Sequence, residues 1–170
     1  RGLIMGLAND KSLAWGIAQK LAQAGADLAF SYQGESLAKR VRPLAEQLGS
    51  SRLINCDVSD MAALDAAFDE LAQDWPTIDF VVHAIGFSDK NELRGKYVDT
   101  SLENFLMTMN ISAYSFVAVA KRARAMMPEG GSLLTLSYYG AEKVVPHYNV
   151  MGVAKAALET SVKYLSLIHI

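Results

Sequence analysis

The sequence is poor in cysteine, in histidine and in any excess of one charge. Its 170 residues include one cysteine and three histidines, and 16 basic side chains nearly balance 18 acidic ones. A single cysteine excludes an internal disulfide framework and fits a reducing compartment, so a cytoplasmic protein is expected. The balanced charge gives no electrostatic footprint for a nucleic acid. No apolar run approaches the roughly 18 residues that cross a bilayer, and no signal peptide opens the chain, so no membrane partner is expected.

Residues that could hold a metal ion are scattered rather than clustered. His83, His147 and His169 show no ligand spacing, so no metal site is predicted. His83 lies inside an apolar run and is predicted to be a packed core residue. His147 is predicted to be a loop residue near the rim of a pocket. Cys56 also lies in an apolar run and is interpreted as a small buried hydrophobe.

The chain does contain apolar runs that alternate with helical patterns along its whole length. Hydrophobic residues make up 51% and charged residues 20%, which is a globular balance. The runs RGLIM, ADLAFSY, SRLINCDV, TIDFVVHAIG and GSLLTLSY predict five strands. Helices are predicted between them, including a long one over 101–127. This alternation predicts an α/β fold with a doubly wound parallel sheet of the Rossmann type, in one domain over 1–165.

The junction after the first strand is a candidate phosphate-binding turn. Its sequence, MGLANDKSLAWGIA, lacks the dinucleotide fingerprint G-x-G-x-x-G. Gly6 can make the sharp turn out of the strand, and Ser12 can offer a hydroxyl to a phosphate. Backbone amides near Leu13, at the helix start, favour an anion. An ordinary strand-to-helix turn with a serine cap explains this segment equally well.

Three further strand ends carry suitable chemistry at the edge where such sheets bind ligands. Gln33 follows strand two and can hydrogen-bond an adenosine hydroxyl; no arginine stands there for a 2′-phosphate, which favours NADH over NADPH. Asp57 follows strand three and could accept a hydrogen bond from an adenine amino group, although a turn-forming role is the simpler reading of that residue alone. Ile85 and Gly86 follow strand four, where the backbone can approach a ligand closely.

The stretch after strand five contains a tyrosine and a lysine seven positions apart, Tyr148 and Lys155. Seven residues are close to two helical turns, so the two side chains share a helix face, about 10 Å apart along the axis. A lysine leans back toward the helix N-terminus, which brings its ammonium toward the phenol. An ammonium about 4 Å away would lower a tyrosine pKa of about 10 by roughly two or three units. A core tyrosine followed by a solvated lysine is the alternative, and the position after strand five favours a catalytic pair.

These motifs resemble the short-chain dehydrogenase/reductase superfamily, and within it the bacterial NADH-dependent enoyl-acyl-carrier-protein reductases. The branch is marked by a tyrosine, six residues and a lysine, here Tyr148-NVMGVA-Lys155, with a second tyrosine ten residues earlier, here Tyr138. The resemblance covers 1–165. It also includes the motifs G-x5-S-x-A-W-G, SYQ, CDV, AIGF, NISAYSF and LSYYGAEKVVPHYNVMGVAK.

The resemblance implies reduction of trans-2-enoyl thioesters by NADH in fatty acid biosynthesis. Tyr148 would hydrogen-bond the enolate oxygen, Lys155 would hold the nicotinamide ribose, and Tyr138 would orient the acyl group. Phe87 and Ser88 fall where the family contacts its substrate. An acyl-carrier-protein-bound substrate and a homotetramer are implied as partners. The implied cofactor-binding positions are Gly6, Ser12, Leu13, Gln33, Asp57, Val58, Ile85 and Lys155.

The resemblance stops after Leu165, and residues 166–170 match nothing expected of the family. We therefore expect a truncated copy of the enzyme, in which strand five lies at the sheet edge with an unpaired apolar flank. Two alternatives stay open at this stage. One is a catalytically dead NAD-binding module, and the other is a carbonyl reductase of the wider superfamily, which the six-residue gap disfavours.

Overall fold

A computed structural model describes residues 1–166 of the chain, so all but the first residue of the predicted tail at 166–170 lies outside the described residues. The described strands form one parallel sheet in the order β3-β2-β1-β4-β5. Because the order runs outward from β1 in both directions, the sheet has the switch point of a Rossmann-type fold. The predicted α/β class is confirmed. The strands are β1 (Gly2–Met5), β2 (Leu28–Tyr32), β3 (Leu53–Asn55), β4 (Phe80–His83) and β5 (Ser132–Thr135).

Each observed strand lies within its predicted apolar run but is shorter than that run. Among residues 1–166, six α-helices accompany the strands, and the last of them ends at Ser166. Gly25 follows the first helix with φ 87°, the left-handed conformation that commonly ends a helix. Asp60 caps the third helix by accepting from two backbone amides. The helices are α1 (Leu13–Gln23), α2 (Gly34–Gln47), α3 (Met61–Asp74), α4 (Leu102–Met109), α5 (Ser115–Ala125) and α6 (Asn149–Ser166).

The chain divides into two compact units. The sheet unit comprises Arg1–Ala84 and Val119–Thr135, and the tyrosine unit comprises Ile85–Ala118 and the residues from Leu136 onward. The five strands all belong to the sheet unit. Tyr138 and Tyr148 give the second unit its name. The single domain over 1–165 stays a prediction.

The sheet unit is built on apolar burial. Ile4 of β1 and Phe30 of β2 are fully buried, and Ala18 of α1 and Val41 of α2 are buried with them. Strands buried on both faces explain the continuous apolar runs read from the sequence. The end strand β5 differs, since Leu134 remains 43% exposed. The predicted edge position of strand five is therefore confirmed within the described sheet.

The single long helix predicted over 101–127 is interrupted. A π-helical segment, Asn110–Tyr114, separates α4 from α5. One extra residue per turn rotates the helix face, which a strict 3.6-residue reading of the sequence does not detect. Among the described residues, no helix has both the length and the apolarity to cross a membrane.

Candidate functional site

In the sheet unit, the turn after β1 requires glycine for two independent reasons. Gly6 has φ 95°, a conformation that L side chains rarely adopt, and a Cβ built there would lie 2.1 Å from the carbonyl oxygen of Ala84. A side chain would thus be strained in its backbone and would collide with the chain leaving β4. The prediction that Gly6 makes the sharp turn is confirmed.

Ser12 stands at the N-terminus of α1, but its hydroxyl does not cap that helix. Its Oγ instead accepts hydrogen bonds from the backbone amides of Ala8 and Asn9, both at 3.1 Å. The amides fix the loop around the oxygen and leave the hydroxyl proton free to donate elsewhere. Leu13 follows, and its side chain is 73% exposed. A loop of this kind before a helix start can hold an anion.

The ends of β2 and β3 bring two predicted residues together. The Gln33 amide donates to Asp57 Oδ2 at 2.7 Å, and Ser59 donates to Asp57 Oδ1 through both its amide and its hydroxyl. The Ser59 hydroxyl is the largest cause that lowers the pKa of Asp57. Asp57 is therefore a carboxylate at neutral pH. The side chain of the next residue, Val58, is buried.

In the tyrosine unit, Tyr148 packs against Tyr138. The two ring centroids lie 4.9 Å apart, and the rings meet edge to face at 65°. Tyr148 is half-buried and Tyr138 is 51% exposed. Burial, followed by the charge of Tyr138, raises the pKa of Tyr148. The phenol therefore keeps its proton at neutral pH and can donate a hydrogen bond.

This direction corrects the sequence-based expectation that Lys155 lowers the pKa of Tyr148. Lys155 is buried on α6, and its Nζ donates to the carbonyl oxygen of Leu136 at 2.7 Å. Burial lowers the pKa of Lys155. The seven-residue spacing places Lys155 on α6, while Tyr148 lies in the turn just before α6, so the shared helix face stays a prediction. The spacing does not fix where a four-carbon side chain ends, and here a backbone carbonyl holds the ammonium.

The loop after β4 carries the predicted substrate residues and one predicted cofactor residue. Ile85 is half-buried, whereas Phe87 is 54% exposed. The Ser112 hydroxyl accepts from the Phe87 amide and donates to the Phe87 carbonyl, each at 2.9 Å. Ser88 donates to Asn104 Oδ1 at 3.2 Å. The loop is thus anchored through its backbone, which leaves the Phe87 ring exposed.

Sequence reasoning missed Ser112 and Asn104 as individual residues. Both are buried, at 0% and 3% exposure, in helical segments of the tyrosine unit. A polar residue among apolar helix neighbours is the signal that could have found them, because buried polar groups need hydrogen-bond partners. Ser112 lies inside the motif NISAYSF, which was noted only for its resemblance.

The predictions that His83 and Cys56 are buried are confirmed. His83 is fully buried, and its Nδ1 lies 3.2 Å from Thr135 Oγ1. Burial raises the pKa of the Cys56 thiol to about 11. His147 is an exposed residue with φ 62° beside Tyr148. Within residues 1–166, no group of three His, Cys, Asp or Glu side chains could hold a metal ion.

A cavity of about 440 Å³ lies within the tyrosine unit beside Tyr148. Its lining is largely apolar and includes Val144, Val145 and Val153, while Tyr97 contributes a second phenol. Such a lining suits an apolar group that meets a few hydrogen-bond donors.

Comparison with known proteins agrees with this description. Enoyl-acyl-carrier-protein reductase (NADH) 1 of Rhizobium meliloti is 63% identical over 98% of this chain and 61% of its own length. The corresponding reductase of Rickettsia typhi is 52% identical, and the chain covers 64% of it. A crystal structure of the reductase of Anaplasma phagocytophilum in complex with NAD has a TM-score of 0.95 at 62% identity, and covers 98% of this chain and 64% of the other.

The parallel sheet, with Tyr148 just before α6 and Lys155 on it, defines a protein of the short-chain dehydrogenase/reductase type. A family model described as enoyl-(acyl carrier protein) reductase matches residues 6–168. The chain belongs to that enoyl-(acyl carrier protein) reductase family. It spans between 61% and 64% of the length of the two curated relatives given above.

Proposed function

We propose that this chain carries cofactor-binding and catalytic residues for the reduction of trans-2-enoyl thioesters by NADH, a step of fatty acid biosynthesis. The observation that carries the proposal is the Tyr138–Tyr148 pair, with its rings 4.9 Å apart, at the start of the helix that buries Lys155. The family match and the names of the relatives support it.

The sheet unit offers a donor and acceptor set that fits the adenosine and phosphate parts of a dinucleotide. The Ser12 hydroxyl and the first amides of α1 would hold phosphate oxygens. Gln33 and Asp57, already joined at 2.7 Å, would face the ribose and the adenine. Leu13 and Val58 would add apolar contacts from this unit. In the tyrosine unit, Ile85 is the apolar cofactor-binding position that the resemblance implies. When bound, NADH supplies the hydride that reduces the substrate.

In the tyrosine unit, Tyr148 would act on the oxygen of the thioester carbonyl. Its phenol, protonated at neutral pH because burial raises its pKa, would donate a hydrogen bond to that oxygen. The hydrogen bond would strengthen as negative charge develops there, and such differential stabilisation is what accelerates a reaction. Lys155 would exchange its contact with the Leu136 carbonyl for the nicotinamide ribose and would keep the local potential positive.

The exposed side chains of Tyr138 and Phe87 would set how the substrate lies. Tyr138, with half of its surface free, would line the acyl path and orient the thioester. The exposed ring of Phe87 would pack against the acyl chain, and Ser88 would mark the rim of the same loop. These roles follow the positions implied by the resemblance.

We also propose that the substrate is carried by an acyl carrier protein, that the whole protein is a homotetramer and that it acts in the cytoplasm. Exposed apolar side chains on the first helical segments of the tyrosine unit support association. Leu102 is 73% exposed, Leu106 is 58% exposed and Tyr114 is 53% exposed. Apolar groups of this number on one helical stretch are costly in water unless another chain covers them.

The test follows NADH absorbance with a crotonyl thioester and, in parallel, with a ketone. We expect turnover of the thioester alone, and we expect Tyr148→Phe to lower it by about 100-fold or more. Tyr139→Phe is the matched control, because Tyr139 is a neighbouring tyrosine with 55% exposure. It should keep the activity.

Three results would contradict the proposal in different ways. Turnover of the ketone alone would indicate a carbonyl reductase. NADH binding without turnover of either substrate would indicate a binding module. Equal turnover by Tyr148→Phe and Tyr139→Phe would remove Tyr148 from its proposed role.

A further inference from the structure

The entry to α6 has an unusual backbone. His147 has φ 62° and Asn149 has φ 37°, so the two residues that flank Tyr148 are both left-handed without being glycine. Most L residues rarely adopt this conformation, and asparagine tolerates it better than most. Residues of this kind persist where surrounding contacts determine the conformation, and they concentrate at functional sites.

The Asn149 carboxamide makes the contacts that determine this turn. Its Nδ2 donates to the carbonyl oxygen of Glu92 at 3.2 Å and to that of Gly95 at 3.0 Å. Both acceptors belong to the segment between β4 and α4. One amide group therefore uses both of its protons to join the residue after Tyr148 to that segment.

The segment that Asn149 holds is itself anchored. The Glu92 carboxylate accepts from the Ser101 amide at 2.9 Å, from the Ser101 hydroxyl at 2.8 Å and from the Asn104 amide group at 3.3 Å. Asn104 is 3% exposed, and its Oδ1 also accepts from the Asp89 amide at 3.0 Å. Asn149 is thus tied, through Glu92, to the start of α4.

The Tyr148 ring has little freedom in its present position. A Cβ built on Gly140 would lie 2.4 Å from the ring atom Cδ1, and one built on Gly152 would lie 3.6 Å from it. The edge-to-face contact with Tyr138 restricts the Tyr148 ring on another side. A small rotation of the backbone at 147–149 would therefore move the phenol out of this position.

We propose that Asn149 is a positioning residue for Tyr148, whose carboxamide fixes the left-handed turn that sets the phenol against Tyr138. The catalytic meaning of this role rests on the function proposed above, whereas the geometric claim stands on the contacts just described.

The test compares Asn149→Gly and Asn149→Asp with the unaltered chain. Glycine accepts φ 37° and removes the carboxamide, while aspartate keeps the size and removes the two N–H donors. Asn91→Asp is the matched control, because Asn91 is an exposed asparagine in the same segment. The readout is the ring ¹³Cζ signal of Tyr148, assigned by its loss in Tyr148→Phe, followed through a pH titration.

In the unaltered chain we expect the Tyr148 titration midpoint above the ordinary tyrosine value of about 10. In Asn149→Gly the midpoint should fall toward that value and the signal should shift, because the ring would gain exposure and leave Tyr138. In Asn149→Asp the signal should shift for the same reason, while the added carboxylate opposes a fall of the midpoint. The ionisable groups Tyr97, Glu142 and Lys143 line the same cavity and are unchanged in all variants. Asn91→Asp should behave as the unaltered chain, and the signal of Tyr32 in β2, compared at neutral pH, should be the same in all variants.

An unchanged Tyr148 signal and midpoint in Asn149→Gly would overturn the inference. If neither variant folds, as judged by the Tyr32 signal, hydrogen exchange of the Asn149 side-chain amide in the unaltered chain decides instead. Exchange slower than that of Asn91 supports the inference, and exchange as fast as that of Asn91 overturns it.

The two proposals can fail separately. Loss of turnover in Asn149→Gly with an unmoved Tyr148 signal would overturn the positioning role and leave the proposed function intact. Full turnover in Tyr148→Phe would overturn the proposed function, while the titration would still decide the role of Asn149.

Discussion

The sheet unit and the tyrosine unit are stabilised in different ways. Most side chains buried in the sheet unit are apolar, and Ile4, Phe30 and Val41 are fully buried there. Among the described residues, five of the eight buried polar side chains lie in the smaller tyrosine unit. These are Asn104, Thr108, Ser112, Ser115 and Lys155, and each makes a hydrogen bond.

The difference shows that apolar burial and hydrogen bonding determine different features of a structure. Apolar burial is not directional, so it brings strands and helices together but leaves the exact position of a loop undetermined. Hydrogen bonds from buried side chains are directional, and leaving one unmade is costly. The unit that holds the proposed catalytic residues therefore depends on particular polar atoms, while the sheet unit depends on buried volume.

The strongest test of this comparison is the removal of a core ring from the sheet unit. Phe30→Ala should lower the free energy of unfolding by about 3–5 kcal/mol, because the lost ring leaves a cavity in a fully buried site. Urea unfolding followed by tryptophan fluorescence measures it, since both tryptophans, Trp15 and Trp75, lie in the sheet unit.

Phe87→Ala is the control for the loss of a ring. Phe87 belongs to the tyrosine unit and is 54% exposed, so its removal should change the free energy of unfolding by no more than about 0.5 kcal/mol. Similar losses in the two variants would show that burial in the sheet unit does not explain its stability.

The second test removes a polar atom from the tyrosine unit. Ser112→Ala deletes the hydroxyl that bonds both the amide and the carbonyl of Phe87. We expect the free energy of unfolding to fall by about 1–3 kcal/mol, because the Phe87 backbone groups are left without that hydrogen-bond partner. Far-ultraviolet circular dichroism during urea unfolding gives the value.

Ser161→Ala is the matched control for this test. The Ser161 hydroxyl donates only to the Ala157 carbonyl within its own helix, and such back-bonding adds little to helix stability. A loss from Ser112→Ala no larger than that from Ser161→Ala would show that directional hydrogen bonds are not what stabilises the tyrosine unit.

The fold was largely predictable because it depends on apolar periodicity. The runs that contain Ile4 and Phe30 are continuous, as strands buried on both faces require, and their alternation with helical patterns leads to a parallel sheet. The end of α4 at Met109 was not predictable in this way. The π-helical segment that follows depends on local side-chain and backbone contacts that periodicity does not record.

The candidate site was predictable in residue type and only partly in geometry. The spacing of Tyr148 and Lys155 predicts a shared helix face, but Tyr148 lies in the turn before α6, so only the position of the buried Lys155 on α6 is established. The direction of the shift in the Tyr148 pKa was predicted wrongly. The Leu136 carbonyl holds the Lys155 ammonium, and burial of the phenol is the largest cause that raises its pKa. Asn149 was not predicted to matter, because its role depends on a left-handed backbone that spacing does not reveal.

The smallest expected effect on stability comes from the charge of Asp57. Its carboxylate lies in a unit that is stabilised mainly by apolar burial. Hydrogen bonds from Ser59, above all from its hydroxyl, and from Gln33 lower the pKa of Asp57 in the folded chain. A carboxyl whose pKa is lower when folded stabilises the fold above its unfolded pKa, about 3.9, and loses that contribution as the pH falls through the folded pKa.

Asp57→Asn should therefore be less stable than the unaltered chain at neutral pH, with a difference in stability that narrows below about pH 4. Thermal unfolding at both pH values measures this, and in a Ser59→Ala background the same substitution should matter less, because the leading cause of the shift is gone. A difference in stability that stays constant with pH would mean that packing, and not charge, stabilises this turn.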